Sequence, residues 1–127
     1  MENSIKLKAS EDTPEIIFNR DSNEFRITGR SLPEDAFVFY SPVIEWMKHY
    51  AANPNSNSEL VISLDYFNSS SVKQILELLT LFEGILKTGK TAKIVWCFSD
   101  GDDLMEIKGM EFQSMLTQVP FEIKCVG

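Results

Sequence analysis

Cysteine, histidine and positive charge are all scarce in this chain of 127 residues. The two cysteines, Cys97 and Cys125, fall within apparent strands and carry neither metal nor redox spacing, so both read as buried free thiols. A lone histidine, His49, leaves too few ligands for a zinc centre and no ready base for a catalytic triad. It is expected on the polar side of its helix. Lys and Arg number 12 against 19 Asp and Glu, a net charge of −7 with no local basic patch, which argues against a nucleic-acid partner. No apolar run is long enough to span a bilayer, and the start MENSIKLKASED lacks the apolar core of a signal peptide. The expectation is therefore a cytoplasmic protein with no membrane partner. What is present is a folding composition, 43% hydrophobic and 11% aromatic. It suits one α/β domain over residues 1–127, with residues 1–12 expected to be loosely ordered.

Ile16-Ile17-Phe18 and Phe25-Arg26-Ile27-Thr28 flank the polar turn Asn19–Asn23, which predicts a hairpin whose second strand closes at Gly29. Ser31-Leu32-Pro33-Glu34 fits a capping box ahead of an aromatic cluster, Phe37, Phe39 and Tyr40. Ser41-Pro42 reads as a second helix start, followed by an apolar face of Val43, Ile44, Trp46, Met47, Tyr50 and Ala51. Residues 52–58 read as a loop. Leu60-Val61-Ile62-Ser63-Leu64 predicts a buried strand, and Val72, Ile75, Leu76, Leu79, Phe82, Ile85 and Leu86 a well-buried helix closed by Lys87 and Gly89. Ile94–Phe98 is the next strand; an acidic turn, Ser99–Asp103, precedes a helix near 103–116, and Phe121–Cys125 alternates as an edge strand does. Right-handed crossovers make the strands near 60–65, 92–98 and 120–126 parallel, with the opening hairpin antiparallel at one edge. The architecture predicted is a mixed sheet with packing helices.

The junction between strand and helix holds three consecutive serines, in Asp65-Tyr66-Phe67-Asn68-Ser69-Ser70-Ser71-Val72-Lys73-Gln74. It lies at the carboxyl end of a parallel strand, where open α/β sheets carry function. Ser71 with Gln74 fits a capping box, leaving Ser69 and Ser70 free to face solvent or a partner. A hydroxyl here serves either as a helix cap or as a phosphate acceptor, since a helix start suits an anion.

Four blocks together narrow the reading. Thr13-Pro14-Glu15-Ile16-Ile17-Phe18, Gly29-Arg30-Ser31-Leu32-Pro33-Glu34-Asp35, Phe39-Tyr40-Ser41-Pro42-Val43-Ile44-Glu45-Trp46 and Tyr66-Phe67-Asn68-Ser69-Ser70-Ser71 resemble, in order, the SiaC family of regulatory phosphoproteins. That family's domain is similar to the STAS fold of anti-anti-sigma factors. The resemblance implies a single STAS-like domain whose regulatory phosphosite, usually Thr, is matched here by Ser69. It also implies a partner surface of Tyr66, Phe67, Asn68, Ser69, Ser70 and Lys73. A Ser/Thr kinase with a histidine-kinase-like ATPase fold would add the phosphate, and a PP2C-type phosphatase would remove it. The unmodified form would bind and activate a diguanylate cyclase, so that cyclic di-GMP output follows phosphorylation. No catalysis and no cofactor are expected of the domain itself; ATP and metal belong to its partners.

Two other readings compete. Asp100, Asp102, Asp103 and Glu106 offer carboxylates for Mg²⁺ or Ca²⁺ in a metal-dependent enzyme, although Asp103-Leu104-Met105-Glu106 also reads as a helix-starting cap and the spacing matches no calcium loop. A constitutive STAS-like module that binds a protein or small ligand fits the same fold. Trp46 and Trp96 read as core aromatics, while Tyr66 and Phe67 suit either core or partner contacts.

Overall fold

The computed structural model describes residues 2–127. Strands β1 (Ser4–Leu7), β2 (Glu15–Asn19) and β3 (Glu24–Ser31) are followed by helix α1 (Ala36–Ala52), β4 (Asn57–Phe67) and α2 (Ser69–Glu83). A tighter 3-10 turn (Gly84–Thr88) continues α2, and β5 (Thr91–Ser99), α3 (Asp103–Met115) and β6 (Phe121–Val126) complete the order. The six strands form one sheet in sequence order. β2 runs antiparallel to its neighbours β1 and β3, and β3 through β6 are parallel. The mixed α/β fold is the expected one, and each parallel pair is joined through a helix.

Alternation along the strands decides where the core lies. Leu60, Ile62 and Leu64 of β4 and Ala92, Ile94 and Trp96 of β5 are buried on the face that the helices cover. Under α1, Phe25 packs against Tyr50 with ring centroids 4.7 Å apart, and Trp46 stacks on Tyr50 at 5.3 Å. Under α3, Trp96 packs on Phe112 at 5.3 Å and donates its indole N–H to the Met105 carbonyl. Both tryptophans are core residues, as their surroundings in the sequence suggest.

Several boundaries depart from the expected ones. Residues 4–7, within the stretch expected to be loosely ordered, form β1 because Ile5 and Leu7 alternate onto the core while their backbone pairs with Phe18 and Ile16; Met1 lies outside the described residues. The strand expected to close at Gly29 runs on to Ser31. Ser31 therefore lies in a strand, fully buried, and the helix after it is capped by Asp35, whose carboxylate accepts from the Val38 N–H at 3.1 Å. Helix α1 is continuous from Ala36, so Ser41-Pro42 is no new start: Pro42 sits on its exposed side, where a missing N–H is best tolerated. Strand β4 begins at Asn57, inside the expected loop, because Asn57 and Ser58 pair with Thr91 and Ala92. Of the two thiols, Cys97 is buried, and burial pushes its pKa up; Cys125 is exposed, since β6 is an edge strand with a neighbour on one side only.

One irregularity shapes everything downstream of it. Gly29 pairs with Leu64 but Arg30 pairs with Tyr66, so β4 carries one extra residue, Asp65, between the two registers. The bulge reverses the alternation: Leu64 and Phe67, three apart, both bury, while Asp65 and Tyr66 are exposed. Gly29, at φ 119°, supplies the opposing backbone conformation that other residues rarely adopt.

Candidate functional site

Because β3, β4 and β5 are parallel and each leads into a helix, α1, α2 and α3 all start on the same rim of the sheet. The serine junction occupies the middle of that rim. Asn68 ends β4 in an extended conformation, and Ser69 is the first residue of α2. The side-chain oxygen of Asn68 is the cap. It accepts from the Ser71 N–H at 3.1 Å, the Ser71 hydroxyl at 2.7 Å and the Ser70 hydroxyl at 3.1 Å. Ser71 is thus not the cap that a Ser71–Gln74 box implies: the N–H such a box uses is already held by Asn68, three residues earlier.

Ser71 instead points inward. Fully buried, it meets the Ser31 hydroxyl at 2.9 Å, and Ser31 meets the Tyr40 hydroxyl at 2.6 Å. The Asn68 N–H donates to the Ser31 carbonyl at 3.0 Å. Since the Ser71 proton goes to Asn68, the hydroxyls line up as a donor chain, Tyr40 to Ser31 to Ser71 to Asn68. This chain ties the end of β3, the second turn of α1 and the start of α2 into one unit. Ser69 takes no part in it and is exposed.

Tyr40 carries a measurable signature of this arrangement. Burial raises its pKa to about 12, partly offset by the bond to Ser31. In the unfolded chain the phenol ionises near pH ~10, so between about pH 10 and 12 the unfolded state loses that proton first. The stability contributed below that window is therefore lost as pH rises through it. Urea unfolding across this range should show a steeper alkaline decline for wild type than for Tyr40→Phe; identical declines would count against a buried, neutral Tyr40.

The expected partner surface divides. Ser69, Ser70 and Lys73 are exposed, Asn68 is half-buried, and Tyr66 is 43% exposed. Phe67 takes the core alternative, edge-on to Trp96 at 6.0 Å. Lys73 stands one turn beyond Ser69, on the same side of α2. Sequence reasoning missed the surroundings. The large exposed apolar side chains among the described residues are Phe37 and Val38 at the start of α1, Tyr66 at the end of β4, and Leu104, Ile107, Met110 and Met115 along α3. All lie on the Ser69 rim or on α3. The signal available was two bulky apolar residues, Phe37 and Val38, in the first turn of a helix, two and three positions past Asp35.

The acidic turn has a structural role: Asp102 accepts from the Met105 N–H at 3.2 Å and caps α3, one residue earlier than the sequence suggests. Among the described residues no group of three His, Cys, Asp or Glu side chains converges to hold a metal, and no helix is long and apolar enough to cross a membrane.

Comparison with known proteins agrees with the four blocks. The model of the SiaC family regulatory phosphoproteins matches residues 7–126. An uncharacterized protein of Pseudomonas aeruginosa is 24% identical over 120 residues, 94% of either chain. The structure of SiaC from Pseudomonas aeruginosa superposes with a TM-score of 0.86 at 23% identity, covering 98% of this chain and 100% of that one. The SiaC chain in a crystal structure of the diguanylate cyclase SiaD with its activator SiaC gives 0.88 at 24% identity, covering 96% and 99%.

Proposed function

The chain belongs to the SiaC family of regulatory phosphoproteins, and from that premise we propose that it is a partner switch whose phosphate sits on Ser69. The observation that carries this reading is an exposed hydroxyl at the first position of α2, outside the buried hydroxyl chain, on a rim that also exposes Phe37, Val38 and Tyr66. A kinase with a histidine-kinase-like ATPase fold adds the phosphate from ATP and a PP2C-type phosphatase removes it, in the cytoplasm. The effector is a diguanylate cyclase, by analogy with the SiaC that is the activator of SiaD. The domain itself binds and does not catalyse.

Phosphate on Ser69 adds roughly −1.5 to −2 charges beside a helix start, which favours an anion, and one turn from the Lys73 ammonium. The free protein therefore tolerates the modification. A docked partner has to desolvate the same phosphate, and the rim's apolar side chains give it no compensating charge. The test is incubation with the cognate kinase and ATP, followed by intact mass measurement. Wild type should gain a single phosphate, removable by the PP2C-type phosphatase, and Ser69→Ala should gain none. Full phosphorylation of Ser69→Ala would overturn the assignment.

A further inference from the structure

We propose that Asn68, held in place by the buried Tyr40–Ser31–Ser71 hydroxyl chain, is the residue that selects Ser69 among three consecutive serines as the phosphate acceptor. The inference rests on the phosphoswitch reading and goes beyond it, because it names what discriminates between neighbouring hydroxyls of identical chemistry.

Phosphoryl transfer from ATP requires the acceptor oxygen to bond to the γ-phosphorus as the β–γ bridging P–O bond breaks. ADP leaves, and the hydroxyl proton passes to a base of the kinase. An acceptor must thus offer a free lone pair and a proton that can swing toward that base. Ser71 offers neither: it is fully buried, and its proton is donated to Asn68 at 2.7 Å. Ser70 is exposed, yet its proton is also donated to the Asn68 side-chain oxygen, at 3.1 Å. Ser69 alone of the three lies outside these bonds. One carbonyl oxygen therefore occupies two of the three candidate protons.

For that oxygen to discriminate, it must not move. It is fixed from below by the Ser71 N–H and hydroxyl, and Ser71 is fixed in turn by Ser31 and Tyr40. The Asn68 N–H is bonded to the Ser31 carbonyl, so the residue's backbone is held as well. Asn68 is a positioning residue, acting through the hydroxyls it engages.

The experiment maps phosphate positions on protein produced in its own host cells, by fragment-ion mass spectrometry. Wild type should carry phosphate on Ser69. In Asn68→Ala the Ser70 share should rise roughly fivefold or more, the equivalent of ~1 kcal/mol of lost discrimination. Asn68→Gly, which remains an acceptable cap, keeps the test valid if the alanine variant folds poorly, and should show the same rise. Asn68→Asp retains an oxygen able to accept the same bonds and should restore the wild-type distribution, a rescue that loss of folding alone does not predict. An unchanged Ser70 share in both Asn68→Ala and Asn68→Gly overturns the proposal. Phosphate on Ser70 in wild type overturns it together with the Ser69 assignment while a partner switch at this junction stands, and absence of phosphate from all three serines in wild type overturns both.

Discussion

Phosphate on Ser69 is expected to weaken binding to the effector cyclase by about two orders of magnitude or more, or ~2.8 kcal/mol at 1.4 kcal/mol per decade. The origin is local. Ser69 lies on a rim of exposed Phe37, Val38 and Tyr66, so a partner that packs apolar surface against them must strip water from the phosphate. Ser69→Ala should bind as unmodified protein does, since no bond of the junction depends on its hydroxyl. Ser69→Asp should fall between, because a carboxylate brings about one charge where phosphate brings nearly two. Circular dichroism should be the same for all forms. Titration calorimetry with phosphorylated and unmodified protein decides the matter: equal affinities would sink the switch and favour a constitutive binding module.

Gly109 in α3 is expected to be the least replaceable glycine of the fold. A Cβ added there would lie 2.4 Å from Cδ1 and 2.7 Å from Nε1 of Trp96. The indole has nowhere to go. It is fully buried, wedged between Phe67 at 6.0 Å and Phe112 at 5.3 Å, and pinned by its bond to the Met105 carbonyl. Gly109→Ala should therefore cost ~3 kcal/mol or more despite the gain in helix propensity, because overpacking displaces α3 from the sheet. The melting temperature should fall by roughly 10 °C. The double variant Gly109→Ala with Trp96→Phe should lose less than the two single variants combined, as the smaller ring makes room. A Gly109→Ala protein as stable as wild type would show that α3 does not pack this closely.

The parts of the fold legible in the sequence were those written in side-chain periodicity. Leu60–Leu64 and Ile94–Phe98 announce buried strands, and the apolar stripe from Val72 to Leu86 announces α2, because burial of one face requires those patterns. The hairpin turn was legible because Asn19 and Asn23 are turn residues by their own backbone and side-chain bonding. What stayed hidden depends on partners distant in sequence. Ser31 looks like a cap in its local context, and only the approach of Tyr40 and Ser71, nine and forty residues away, makes a buried strand serine favourable. β1 has four residues and no independent signal; it exists because β2 offers an open edge. At the junction, Asn68 and Ser71 both satisfy the local rules for a cap, and the choice falls to Asn68 because tertiary contacts draw Ser71 inward.

The extra residue at Asp65 means that this stretch encodes a count as well as a composition. Its side chain is exposed, so many residue types are compatible with the position. Straightening the bulge with every residue kept is a different matter, because the strand downstream would then continue in unbroken alternation from Leu64 through Asp65. Phe67 would swing to the face opposite the helices, leaving a hole beside Trp96. Asn68 would turn away from Ser31 and Ser71, and the hydroxyl that now stands free at the head of α2 would no longer have a fixed address. In this protein the position of the Ser69 hydroxyl is set by the parity of a strand.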